Sequence, residues 1–135
     1  MPHLVILYTP NLEAGADMTA LCRALADTML AARDETGKPV FPPGGTRVLA
    51  YPAAHYAVAD GARDYAFVYL NLRMAAGRSA ASKKDAGDAL MEVAKRHFAA
   101  LLAERFISIT LQIDEAPGQV YDAKHGNIHP LFNTP

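Results

Sequence analysis

Pro2, directly behind Met1, is the residue with the most chemistry to offer. A methionine followed by so small a side chain is an ordinary target for removal during synthesis, and its loss leaves a chain that begins with a secondary amine. A free α-amino group titrates at about 7.7–8.0 in model peptides, and desolvation or nearby cations push that value down. A shift of roughly two units needs about 2.7 kcal/mol of differential interaction, which burial can supply. An amine left neutral near the working pH is a usable general base. The plainer reading of Pro2 is a residue that opens a strand, where it owes the ladder no hydrogen bond.

A base of this kind needs something to hold its substrate. Arg78 lies in the segment Met74-Ala75-Ala76-Gly77-Arg78-Ser79, between the carboxyl end of a strand and the start of a helix. Open α/β sheets tend to bind ligands there, and a guanidinium beside helix-terminal amides suits a carboxylate held in fork geometry. Arg47 opens another strand behind a Pro/Gly loop and is a second candidate for the same pocket, while Arg73 reads as the exit charge of its strand. Each arginine taken singly is more often a solvated surface residue. Cys22 falls on an apolar helix stripe and reads as a small core residue, not a nucleophile. His97 borders a second stripe and reads as structural. His125 and His129 are four apart, but they sit in a Gly/Pro-containing tail with no third ligand in view, so no metal site is expected.

The elements that must position these residues follow from periodicity. A first strand is expected over roughly His3 to Thr9, followed by a connection through Ala16. Asp17 is placed to cap a helix whose Met18, Leu21, Cys22, Leu25, Met29 and Ala32 recur at 3–4-residue spacing, with Gly37 and Pro39 as its stop. Lys38 to Gly45 reads as a loop, and Arg47 to Tyr51 as a short strand broken by Pro52. Tyr65 to Arg73 places Ala66, Val68, Leu70 and Leu72 on one face and Tyr65, Phe67, Tyr69 and Asn71 on the other, as in a central strand or one packed on another subunit. Ser82 with Asp85 suggests a capping box for a second helix with an apolar stripe from Leu90 to Leu102. On its wet side Glu92 and Arg96 form an i, i+4 pair. Ile107, Ile109, Leu111 and Ile113 alternate with polar residues in a last strand, ended by Pro117-Gly118. The tail to Pro135 has no readable period.

Strand–helix–strand therefore occurs twice. Two such units with right-handed crossovers give an α/β (α+β) domain, a four-stranded sheet with two helices on one face. The other sheet face would be apolar and uncovered, which favours oligomerisation. At 135 residues, 51% hydrophobic and 20% charged, residues 1–135 read as a single globular domain. A net charge of -1 gives no reason to expect nucleic acid or an anionic membrane as partner. No apolar run is long enough to span a bilayer, no signal peptide is read at the start, and one cysteine fits a reducing compartment. A cytoplasmic protein is expected.

Taken together, Pro2-His3, Ala59-Asp60-Gly61, Asp64-Tyr65-Ala66-Phe67-Val68, Ala76-Gly77-Arg78-Ser79, His97-Phe98-Ala99-Ala100-Leu101 and Asn127-Ile128-His129-Pro130-Leu131-Phe132 are familiar in their order. The chain resembles the 5-carboxymethyl-2-hydroxymuconate isomerases, a branch of the tautomerase superfamily, over most of its length. That resemblance implies trimers of two β-α-β units per subunit, with pockets at subunit boundaries. It implies a cofactor-independent conversion of a dienol polycarboxylate to its unsaturated 2-oxo isomer, in the breakdown of homoprotocatechuate from 4-hydroxyphenylacetate. By position, Pro2 takes the base role and Arg78 binds a substrate carboxylate. Arg47 lies where the family has arginines at the start of the second strand, behind a longer and differently composed loop. The small-molecule substrate and a homotrimer are thus the expected partners. The alternatives are another tautomerase-type activity, such as a phenylpyruvate-like keto–enol tautomerase, or an inactive oligomerising domain.

Overall fold

The computed structural model describes residues 2–132. Four strands, β1 (His3–Tyr8), β2 (Arg47–Pro52), β3 (Ala66–Ala75) and β4 (Ile107–Ala116), form one sheet in the order β2-β1-β3-β4. β1 runs parallel to β2 and β3 parallel to β4, while β1 and β3 are antiparallel at the centre. Each parallel pair is bridged by a helix, α1 (Met18–Ala31) or α2 (Ala80–His97), as two β-α-β units require.

Both helices cover the same sheet face. Leu4, Ile6 and Tyr8 of β1 and Ala66, Val68, Leu70, Leu72 and Met74 of β3 point into the core. They meet Leu21, Leu25 and Met29 of α1 and Ala86, Leu90 and Ala94 of α2. Each such leucine or isoleucine contributes roughly 1.5–3 kcal/mol by leaving water. The Asp17 carboxylate caps α1, accepting from the Ala20 N–H at 2.9 Å. Tyr8 closes β1 onto the connection behind it by donating to Glu13; burial first, and that carboxylate second, push its phenol up to about 12.

Several boundaries differ from those read in the sequence. The N-cap of α2 is Ser79, whose Oγ accepts from the Ser82 N–H at 3.1 Å; Ser82 lies buried one turn in. The apolar stripe continues to Leu102, but the helix does not. Phe98, fully buried, leaves helical geometry at φ -96°, and a separate turn of helix, α3 (Ala99–Leu102), follows. Glu92 pairs with Lys95 at 2.9 Å in place of Arg96. The loop behind α1 is more ordered than its prolines suggest. Arg33 and Pro39 form an isolated bridge, Val40 and Phe41 enter the core, and Pro43–Gly45 makes a 3-10 turn.

The uncovered face is not uniformly apolar. On the β2–β1 side it shows Leu49, Leu7 and Tyr51, each nearly half exposed. On the β3–β4 side Tyr69 donates to Gln112 and Asn71 to Asp114, both at 2.8 Å.

Candidate active site

Pro2 sits buried at the head of β1, and its carbonyl accepts from the Arg47 N–H at 3.3 Å. The residue before the first strand is thereby fixed against the first residue of the second. Arg47 stands level with His3 in the parallel register, which puts its side chain at the same end of the sheet. Its Nη1 donates to the Gly44 and Thr46 carbonyls at 2.6 and 3.1 Å.

Arg78 arrives from the other half of the fold. It lies in the turn between β3 and α2, behind Gly77 at φ 118°, a conformation that L side chains rarely adopt. Its Nε donates to the Val40 carbonyl at 3.0 Å and its Nη1 to Ala75 at 3.2 Å. The guanidinium also lies 5.2 Å from the centre of the Phe41 ring, within cation–π range. Glu35 fastens the same turn, accepting from the Ser79 hydroxyl; that hydrogen bond is the main cause holding its carboxyl below the usual range.

Pro2, Arg47 and Arg78 line one cavity of about 530 Å³. Both guanidiniums are oriented by backbone carbonyls, and among the described residues no carboxylate lies within ion-pairing distance of either. Two half-buried positive charges therefore face the cavity without a counter-ion. Such a site binds an anion in preference to a neutral molecule, and it offers fork geometry to a carboxylate.

One wall is a surprise from the sequence. Lys124, His125, Asn127, Ile128 and His129 of the tail line the cavity together with Pro42, Gly44 and Gly45. The tail is seated by a close approach: a Cβ on Gly44 would lie 2.6 Å from His129 Nδ1 and 2.8 Å from its Cα. A 3-10 turn, His129–Phe132, rests there on the Pro43–Gly45 turn. The signal in the sequence was the motif Asn127 to Phe132, which carries no periodicity and so shows no structural role by itself. His3, next to Pro2, points away from this cavity into a neighbouring one. Partial burial first, and the positive charges of Arg47 and Arg73 besides, hold its imidazole below the usual value.

Residues 2–132 match the protein family described as 5-carboxymethyl-2-hydroxymuconate isomerase. The chain belongs to that family. It is 35% identical over 132 residues to the 5-carboxymethyl-2-hydroxymuconate Delta-isomerase of Escherichia coli, covering 98% of this chain and 99% of the relative. A solved 5-carboxymethyl-2-hydroxymuconate delta-isomerase is 53% identical and superposes with a TM-score of 0.94, over 100% of this chain and 95% of the other. The isomerase of Deinococcus radiodurans R1 is 37% identical, with a TM-score of 0.85 over 98% and 95% of the two chains. The tautomerase-like sheet and its two helices are thus features this isomerase shares with its solved relatives.

Proposed function

We propose that this isomerase converts 5-carboxymethyl-2-hydroxymuconate to its unsaturated 2-oxo isomer without a cofactor, as a homotrimer. Pro2, made the amino terminus by removal of Met1, is the general base; Arg78 and Arg47 hold substrate carboxylates. The observation that carries this reading is the meeting of Pro2 with two carboxylate-free guanidiniums in one cavity. The proline nitrogen takes the proton of the 2-hydroxyl, and the negative charge spreads along the diene as a dienolate. The same nitrogen returns a proton to the far carbon of the conjugated chain, which leaves a ketone conjugated with the remaining double bond. The arginines keep the dienolate in place and lower its energy by their charge. They also disfavour the ammonium form of Pro2, so the amine is kept neutral enough to act.

The test is an ultraviolet assay on protein whose amino terminus has been verified by intact mass. Pro2→Ala, with Met1 still removed, is expected to lower kcat by about 10²–10⁴-fold, the usual contribution of a positioned base. Arg78→Ala is expected to raise KM by at least about tenfold, the loss of one charge-assisted hydrogen bond. If Arg78→Ala leaves both parameters untouched, its assignment is wrong. A phenylpyruvate-like tautomerase acting on a monocarboxylate would depend on only one of the two arginines, so a substrate panel separates that reading.

A further inference from the structure

The substrate proposed above carries three carboxylates, two on the muconate chain and one on its carboxymethyl branch. The Pro2 cavity supplies two arginines. A second cavity, of about 500 Å³, opens beside it. Consecutive residues face the two spaces, Pro2 the first and His3 the second, and Lys124 lines both. We infer that this neighbouring cavity, with Arg73 as its principal cation, receives the carboxymethyl carboxylate and sets the enzyme's preference for a tricarboxylate over a dicarboxylate muconate. The inference rests on the function proposed above.

The charge balance of the second cavity supports one added anion. Arg73 stands beside His3 in the antiparallel register and level with Asp114 of β4. Asp114 keeps its charge, but its Oδ2 is turned to Asn71 at 2.8 Å and it does not line the cavity. Among the described residues Arg73 has no ion pair. Lys124 is paired with Asp122, the only carboxylate among the described residues of the cavity wall. Among the described wall residues, Arg73 is the cation left without an ion pair. Lys124, on its flexible stem at the boundary, can turn from Asp122 to a substrate that spans both spaces.

The experiment compares kcat/KM for 5-carboxymethyl-2-hydroxymuconate and for 2-hydroxymuconate, which lacks the branch. Arg73→Gln removes the charge and leaves a shorter, still polar side chain, and Arg73 is exposed, so folding is expected to be kept. The ratio of the two specificity constants is expected to fall about tenfold, mainly through KM of the tricarboxylate. Arg73→Lys should restore part of the ratio, and Lys124→Gln should lower it in the same direction. An unchanged ratio in Arg73→Gln overturns the inference. Calorimetry with non-reacting analogues, 2-carboxymethyladipate against adipate, separates this question from catalysis. Wild type should favour the tricarboxylate and Arg73→Gln should lose that preference; equal binding of the two by wild type overturns the inference. Failure of wild type to turn over either muconate would instead sink the proposed activity.

Discussion

A guanidinium oriented by carbonyls behaves differently from one oriented by a carboxylate. Gly44, Thr46, Val40 and Ala75 fix the planes of Arg47 and Arg78 while leaving the full charge of each in the cavity. A carboxylate in the same place would fix them equally well and cancel the charge that the proposed carboxylate binding uses. His3 stands close to the same cations, and its folded-state value lies below the 6.5 of an ordinary imidazole. The unfolded chain therefore holds this proton more tightly than the folded one. Stability should fall as pH drops through 6.5 and be complete above it. Urea unfolding on either side of that pH should show the slope in wild type and a shallower one in His3→Gln. Gly44→Ala gives a second test at this scale. Its added Cβ overlaps the His129 ring and backbone, so the tail must lift. KM should rise several-fold while the free energy of unfolding changes by less than about 1 kcal/mol, as for a change borne by a surface segment. The three residues placed in the site from sequence, Pro2, Arg47 and Arg78, do share one cavity. The tail wall was illegible because it is held by contact between two irregular turns, and contact of that kind leaves no period in a sequence.

At the scale of elements, strands and helices were readable wherever one face is buried and the other is wet. β4 alternates, α1 repeats every three to four residues, and both lie where the pattern puts them. The failures share a cause: in each, a tertiary partner chose between local alternatives. Ser79 and Ser82 are both good caps by type, and Ser79 caps because Glu35 reaches its hydroxyl from the preceding loop. Phe98 ends α2 with no glycine or proline nearby, since its ring is wholly enclosed in the core and its backbone follows. Val40 and Phe41 sit among prolines yet are buried with the apolar core, and the Val40 carbonyl accepts from Arg78. Ser79→Ala removes both the cap and the tie to Glu35. It should cost about 1 kcal/mol in urea unfolding, the usual worth of a cap. Because the next residue back is Arg78, KM should rise as well. A loss of stability with unchanged KM would mean that the cap and the proposed binding role of Arg78 are independent.

At the scale of the whole molecule, the sheet face opposite the helices is divided. Leu49, Leu7 and Tyr51 leave apolar surface on one half, while hydrogen-bonded polar pairs cover the other. The apolar half is where copies of the chain would meet in the proposed trimer. Light scattering should give three times the 14.5 kDa chain mass for wild type and a smaller species for Leu7→Lys. The circular dichroism of that variant should match wild type, since Leu7 points away from the core. A wild type of single-chain mass at micromolar concentration would count against assembly.

The seating of His129 on Gly44 also couples segments far apart in the sequence. Pro2 stands at the head of β1 and Lys124 to Pro130 follow β4, yet these segments enclose a common chamber. A polypeptide cut after β4 would keep the four strands of the sheet and lose one wall of that chamber, which leaves Pro2 open to bulk water.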